Sequence, residues 1–206
     1  LESLSRAAAA LMVEQANRAA AARGRFSVAL AGGATPRRTY ELLAAPPLAD
    51  QAPWDRVHVF WGDERCVPLT DPRSNARLAQ AAWLDRVSIP GAQIHPINCA
   101  SDPATAARQY EAQLREFFAG GPPILDLVLL GLGEDGHTAS LFPGAPALAE
   151  SERWVAAVSV AGQDLNRITM TAPLINRAAM VVFLVSGGAK AGVLRDVLCN
   201  EVPLVF

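Results

Sequence analysis

Short β-prone runs alternate with helical patterns along most of this chain. An almost continuous apolar run such as LDLVLL, residues 125–130, is typical of a strand that is covered on both faces. Strands that alternate with helices imply βαβ units and a sheet of mostly parallel strands covered by helices. The sequence therefore predicts an α/β fold with a mostly parallel, open sheet.

Several predicted elements have recognisable ends. Asp102 is the expected N-cap of a helix that runs to Phe118, and Gly24 is the expected C-cap of an Ala-rich first helix. The predicted strands cover residues 26–30, 57–61, 125–130, 167–171 and 180–185. The remaining predicted helices cover residues 36–44, 74–84 and 189–198.

Length and composition limit the class of protein. The chain has 206 residues, of which 51% are hydrophobic, enough for one good-sized core. Its formal net charge of −2 gives no general attraction to nucleic acid or to an anionic membrane, and no apolar run reaches membrane-spanning length. The chain starts without Met in a helical pattern and stops where a strand begins, so we expect a single domain over residues 1–206, truncated at both ends.

The cysteines bear on the compartment. Cys66, Cys99 and Cys199 are odd in number and widely spaced, without a C-x-x-C pair. This pattern favours reduced thiols over a disulfide framework, and with them a cytoplasmic location.

The sequence leaves open whether the protein is a monomer or a homodimer.

Unusual residues follow four of the predicted strands. The segments AGGATP (31–36), GDER (62–65), GLGEDGH (131–137) and SGGAK (186–190) each begin where a strand ends. In an open parallel sheet, ligands bind at the carboxyl ends of the strands. Tight turns could account for the glycines of any one loop, but they do not explain the charged residues and the histidine beside them. We therefore expect these four loops to form one ligand-binding edge.

Two of these loops are suited to an anion. In GGATP, the backbone N–H groups of Gly32 and Gly33, with the Thr35 hydroxyl, precede a helix whose dipole favours negative charge. The loop lacks the G-K-[ST] of a Walker A motif. In SGGAK, Lys190 lies in the first turn of a helix, where a cation opposes the dipole. A bound anion explains that placement, and a solvated surface lysine is the alternative.

The loop GLGEDGH contains the literal pattern G-x-G-x-x-G. A dinucleotide-binding loop needs a long following helix and an acidic residue about 20 positions on, but the segment PGAP at 143–146 breaks any helix. The notable residue of this loop is therefore His137, which lies on a glycine-flanked turn beside Asp135. Histidine is the commonest general base, so His137 is the candidate for that role. His58 and His95 are expected to be structural. No second His or Cys lies at ligand spacing from His137, so we expect no metal site.

Together, the segments LAGGATPRRTYELL, VFWGDERCVP with the SN pair at 74–75, LDLVLLGLGEDGHTASLFPG, RITMT and FLVSGGAKAGVL resemble the 6-phosphogluconolactonase family over nearly the whole chain. The resemblance implies a Rossmann-like, three-layer α/β/α fold. It also implies hydrolysis of 6-phospho-D-glucono-1,5-lactone to 6-phosphogluconate, a step of the pentose phosphate pathway, without cofactor or metal. The loop LTDPRSNA, 69–76, departs from the family pattern at Asp71, Arg73 and Ala76.

The resemblance also implies roles for individual residues. His137 takes a proton from the attacking water, and Asp135 either orients the imidazole or caps the turn. The predicted substrate-binding residues are Gly32, Gly33, Thr35, Asp63, Arg65, Gly136, Arg167 and Lys190. The substrate phosphate is expected among the glycines, Thr35 and the three cations, whose division of labour the sequence does not give.

Two other functions compete with this one. The sibling glucosamine-6-phosphate deaminase/isomerase has the pattern D-G-H-I-A-F-N-E, in which a Glu five residues after the His assists ring opening. This chain has Phe142 at that position. The other alternative is a sugar-phosphate-binding protein without catalytic activity.

Overall fold

The computed structural model describes residues 1–100, 102–159 and 165–199. Its helices are α1 (Glu2–Arg23), α2 (Ala34–Leu43), α3 (Asn75–Ala82), α4 (Pro103–Phe118), α5 (Ala172–Ile175) and α6 (Ala191–Cys199). Its strands are β1 (Phe26–Leu30), β2 (Val57–Trp61), β3 (Asp63–Arg65), β4 (Leu127–Leu130), β5 (Val155–Ser159), β6 (Asn166–Met170) and β7 (Val181–Phe183). Short 3₁₀ turns connect several of them.

The central sheet is parallel, with the strand order β2-β1-β4-β7. Every residue of β1 and β4 is buried, and because successive side chains point to opposite faces, both faces of these strands are covered. From β1 the chain moves outward to β2 on one side, and the later strands β4 and β7 lie on the other. The order therefore reverses between β1 and β4, which places the loops that follow these strands side by side.

A second, antiparallel sheet with the order β3-β6-β5 corrects two sequence expectations. The segment GDER forms β3 instead of a loop, and the strand predicted at 167–171 belongs to this second sheet. Gly62 links the two sheets, since its N–H donates to Leu30 O (2.9 Å) and its carbonyl accepts from Met170 N (2.7 Å). The residues after β2 thus leave the parallel sheet but remain at its carboxyl edge.

The predicted helix ends at Gly24 and Asp102 are confirmed. Gly24 has φ 74° at the C-terminus of α1, a left-handed conformation that glycine adopts without strain. The Asp102 carboxylate accepts hydrogen bonds from Ala104 N (3.0 Å) and Thr105 N (3.1 Å). In the same helix, Tyr110 Oη accepts from Trp61 N (2.9 Å), which fixes the end of β2 next to Gly62.

The expectation of reduced thiols is wrong for two of the three cysteines. Cys66 and Cys99, 33 positions apart in the chain, form a disulfide. The segment before Cys99 runs beside β2, where His95 N donates to Val59 O (2.8 Å), and Cys66 directly follows β3. Spacing along the sequence could not reveal this neighbourhood, because the fold creates it.

His58 and His95 lie in an aromatic cluster with Phe60 and Phe117. The two imidazoles stack with ring centroids 5.6 Å apart, and His58 Nδ1 lies 3.3 Å from His95 Nε2. Burial, with smaller effects of His95 and Arg25, lowers the pKa of His58 to about 4, and burial also lowers the pKa of His95. Both rings are therefore packed as neutral groups, which agrees with a structural role.

This cluster predicts a loss of stability in mild acid. Unfolded histidine binds a proton near pH 6.5, whereas folded His58 binds one only near pH 4. Between these values the unfolded state holds more protons, so the free energy of unfolding falls as the pH falls from about 6.5 towards 4. For this half-buried ring we expect about 1 kcal/mol between pH 6.5 and 5. The His58→Phe variant should show a correspondingly weaker dependence.

Urea unfolding of both proteins at pH 7.5, 6.5, 5.5 and 5.0 measures this difference. His95 remains in the variant, so the dependence should shrink without vanishing. Equal pH dependence in the two proteins would show that His58 already titrates at its ordinary value in the folded state.

Candidate active site

The loops at the carboxyl edge of the parallel sheet surround one pocket. Of the residues predicted from the sequence, those that line it are Gly32, Gly33, Thr35, Asp63, Arg65, His137, Arg167 and Lys190. Asp135 and Gly136 do not line it and instead build the turn that carries His137. The convergence follows from the topology, since β1 and β4 are adjacent and β3 begins two residues after β2 ends.

The turn after β4 holds His137 in place through its own backbone. Gly133 N donates to His137 O (2.7 Å), and Gly136 N donates to Gly133 O (3.2 Å). Gly136 has φ 86°, which a residue with a side chain rarely adopts. A Cβ atom at Gly133 would lie 2.2 Å from His137 Nδ1 and 2.5 Å from Asp135 Oδ1. Gly133 must therefore be glycine for the imidazole and the carboxylate to meet.

Asp135 both orients the imidazole and caps the turn. Its Oδ1 lies 2.5 Å from His137 Nδ1 and also accepts from His137 N (3.2 Å). Burial would raise the pKa of Asp135, but the hydrogen bonds from the His137 ring and backbone outweigh it and lower that pKa. A carboxylate that accepts at Nδ1 selects the tautomer whose Nε2 carries the lone pair. The arrangement leaves Nε2 as the basic atom.

The Phe142 ring lies beside both the His137 ring and the Arg167 guanidinium. Its ring centroid is 4.2 Å from that of His137, and the Arg167 Cζ lies 5.2 Å from the same ring. The side chain is buried, with 8% of its surface exposed. Phe142 thus packs against both groups without adding charge between them.

Two arginines face each other across the antiparallel sheet. Arg65 on β3 is in register with Arg167 on β6. Burial lowers the pKa of Arg167, and Arg65 lowers it further against the opposing effect of Asp63. Like charges at directly opposed positions destabilise a strand pair, and an anion bound between them would offset that cost.

A helix N-terminus and a lysine complete this region. Gly33 (φ 98°) is the N-cap of α2 and has no side chain to cap the first turn, so the N–H groups there can bind a ligand. Lys190 ends a 3₁₀ turn after β7, and its Nζ contacts the Leu132 carbonyl oxygen. We call Arg65, Arg167, Lys190 and the first turn of α2 the anion seat.

Comparison with known proteins identifies the family. The family of glucosamine-6-phosphate isomerases and 6-phosphogluconolactonases matches residues 1–205. The chain belongs to this family. The Rossmann-like fold class and the resemblance predicted from the sequence are thereby confirmed.

Individual relatives agree with this assignment. A 6-phosphogluconolactonase from Synechocystis sp. is 50% identical over 188 residues, which cover 89% of this chain and 76% of the relative. One from Nostoc sp. is 48% identical over 179 residues, which cover 84% and 72%. The solved structure of 6-phosphogluconolactonase from Trypanosoma brucei superposes with a TM-score of 0.86 at 30% identity, over 98% of this chain and 84% of that one.

Sequence reasoning missed several residues of the pocket, above all Asn75. This side chain is 2% exposed and lines the pocket between Gly32 and Arg65. Asp63, predicted to bind substrate, has one carboxylate oxygen bonded to Ser140 Oγ (2.6 Å) and the other to Asn75 Nδ2 (3.2 Å). Asn75 belongs to the SN pair (74–75) of the segments that resemble the family, but it was not among the predicted site residues.

The part of the chain that the structure describes has neither a metal-binding cluster nor a membrane-spanning helix. Within residues 1–100, 102–159 and 165–199, no three His, Cys, Asp or Glu side chains are arranged to hold a metal ion. Over the same residues, no helix is both long and apolar enough to cross a membrane.

The geometry of the turn predicts that Gly133→Ala will displace the His137 ring. The added methyl group overlaps Nδ1 and the Asp135 oxygen, so the hydrogen bond between them should be lost while the sheet remains intact. A crystal structure of the variant measures the displacement. Gly91→Ala is the matched control, because a Cβ there meets no atom within 4 Å. An unmoved imidazole, still within 3 Å or so of Asp135, would contradict the prediction.

Proposed function

We propose that this chain hydrolyses 6-phospho-D-glucono-1,5-lactone to 6-phosphogluconate, with a water molecule activated by His137. The names of the relatives at 50% and 48% identity support the reaction, and the geometry of the pocket supports the roles of the residues. The pathway is then the pentose phosphate pathway. The cytoplasmic location expected from the sequence remains a prediction.

One observation carries the proposal: a histidine oriented by a carboxylate shares a pocket with three cations. His137, with Nδ1 hydrogen-bonded to Asp135, and the anion seat line the same cavity. A base alone would suit many hydrolases, and an anion seat alone would suit a binding protein. Their combination fits a substrate that has a phosphate at one end and an electrophilic carbonyl at the other.

The steps of the reaction follow from this arrangement. Neutral His137 takes a proton at Nε2 from water as the water oxygen bonds to C1 of the lactone. Backbone N–H groups of the glycine turns, or one of the two arginines, stabilise the resulting oxyanion. The bond between C1 and the ring oxygen then breaks, and His137 returns the proton to that oxygen. The phosphate, bound in the anion seat, fixes the orientation of C1.

The deaminase alternative is weakened by Phe142. Ring opening in the sibling enzyme uses a Glu at this position, whereas here an apolar ring packs 4.2 Å from the His137 ring. A binding protein without activity would have no need of the Asp135–His137 contact. These observations favour the lactonase over both alternatives.

Paired assays separate the three functions. The purified protein is tested for hydrolysis of 6-phosphogluconolactone, with the spontaneous hydrolysis subtracted, and for ammonia release from glucosamine 6-phosphate. Lactone hydrolysis alone supports the proposal. Ammonia release would favour the deaminase, and neither activity together with calorimetric binding of 6-phosphogluconate would favour the binding protein.

The role of His137 is tested by His137→Asn. The amide keeps a similar size but cannot accept a proton at neutral pH, and general-base catalysis contributes about 10²–10⁴-fold. We expect kcat to fall by about that factor with KM nearly unchanged, because the anion seat is intact. Steady-state kinetics measure both constants. The control is His95→Asn, a change outside the pocket, which should keep kcat. A folded His137→Asn variant within a few-fold of the wild-type kcat would remove this residue from the mechanism.

Lys190→Ala should weaken binding more than it slows the chemistry. Lys190 is predicted to contact the phosphate, which does not change during the reaction, so its loss raises KM and leaves kcat nearly unchanged. We expect KM to rise about tenfold, the equivalent of one charged contact. Arg195→Ala, which removes a cation paired with Asp196 on the exposed part of α6, is the control. A lower kcat at constant KM would instead put Lys190 at the reacting carbonyl.

A further inference from the structure

Asn75 lies between two groups that the proposed mechanism depends on. Its Oδ1 accepts a hydrogen bond from Arg65 Nη1 (3.0 Å). Its Nδ2 donates to the carbonyl oxygen of Asp63 (2.9 Å) and to Asp63 Oδ1 (3.2 Å). The planar amide presents its acceptor oxygen to Arg65 and its donor nitrogen to Asp63 at the same time. Aspartate here would place a second carboxylate against Asp63, and alanine would leave both groups without this partner.

Hydrogen bonds to the Glu64 carboxylate hold the backbone of Asn75 in place. The buried Glu64 carboxylate accepts from Asn75 N (2.8 Å), Ala76 N (2.8 Å) and Ser74 Oγ (2.9 Å) at the start of α3. Burial raises the pKa of Glu64, against the opposing effect of these hydrogen bonds. The amide of Asn75 therefore projects from a helix end that a buried acid holds in place.

Gly32 has no side chain, and this leaves room for the Asn75 amide. A Cβ atom at residue 32 would lie 1.8 Å from Asn75 Oδ1 and 2.2 Å from its Cγ. Gly32 does not have a positive φ, so alanine could adopt its backbone conformation. The sequence predicted that the backbone N–H group of this glycine would help to bind the substrate phosphate. In the structure, the side chain of Asn75 occupies the space that a Cβ would take.

We propose that Asn75 is a positioning residue that sets the Arg65 guanidinium for the substrate's phosphate, and that residue 32 is glycine to admit the Asn75 amide. The inference rests on the proposed function, because it takes Arg65 as part of the anion seat. Arg65 Nη1 is held by two acceptors, Arg73 O (2.7 Å) and Asn75 Oδ1 (3.0 Å). The first is a backbone atom of an exposed loop, so Asn75 supplies the rigid support.

The first test asks whether Asn75 acts through Arg65. Calorimetry measures the affinity for 6-phosphogluconate in wild type, Asn75→Ala, Arg65→Ala and the double variant, with gluconate as the ligand that lacks the phosphate. Asn75→Ala should weaken the binding of 6-phosphogluconate about tenfold and leave the binding of gluconate nearly unchanged. In the Arg65→Ala background the same change should have no further effect. An equal loss in both backgrounds, or no loss in the single variant, would overturn the inference.

The second test asks whether Gly32 and Asn75 are coupled. Gly32→Ala should weaken binding and lower the melting temperature in the wild-type background, but it should add little once Asn75→Ala has removed the overlapping atoms. Gly33→Ala is the matched control: its cost arises from φ 98° and not from Asn75, so it should be the same in both backgrounds. Additive effects of Gly32→Ala and Asn75→Ala would overturn the inference.

These measurements remain informative if the proposed reaction is wrong. If the purified protein does not hydrolyse the lactone in the paired assays, the proposed function is wrong. The binding and melting experiments report on the Asn75–Arg65 and Asn75–Gly32 contacts, and they do not require turnover. If Asn75→Ala does not fold, Asn75→Ser, which keeps a small polar side chain, takes its place in both cycles.

Discussion

The pairing of β1 with β4 is the constraint on which the site depends. These strands are far apart in the sequence, yet Val28 is in register with Leu127 in the parallel sheet. Parallel pairing brings their carboxyl ends to the same edge. The helix N-terminus that begins at Gly33 and the turn that carries His137 therefore line one pocket. A helix N-terminus suited to an anion and the turn that carries an oriented histidine become neighbours through the pairing of these two strands.

The second constraint is the change of sheet at Gly62. Had the chain continued along the parallel sheet beyond β2, Arg65 would have no antiparallel partner strand. Because Gly62 bonds to Leu30 on one side and to Met170 on the other, β3 pairs with β6, and Arg65 comes opposite Arg167. The formal net charge of the whole chain, −2, does not reveal this local concentration of positive charge. The sequence contains a single lysine, Lys190, and it lines the same pocket.

The sequence predicted well those features that depend on local pattern. The strands at 26–30 and 57–61 and the caps at Gly24 and Asp102 were predicted at the correct residues, because apolar runs and capping side chains are local signals. The antiparallel sheet was missed, since β3 has only three residues, two of them charged acids and one an arginine. The Cys66–Cys99 pair and the contact of Asn75 with Gly32 join segments distant in sequence, so no local pattern could indicate them.

The position of Phe142 shows how one fold can separate two chemistries. The ring packs against His137 and near Arg167, in a place where the sibling enzyme has a carboxylate. A second carboxylate beside the Asp135–His137 pair would favour the protonated imidazole, and a protonated imidazole cannot act as a base. It would also pair with Arg167 and compete with a phosphate for that cation. An aromatic ring avoids both effects because it carries no charge. If His137 acts as a neutral base and Arg167 contacts the substrate, as proposed, an apolar residue at this position is therefore the physically consistent choice.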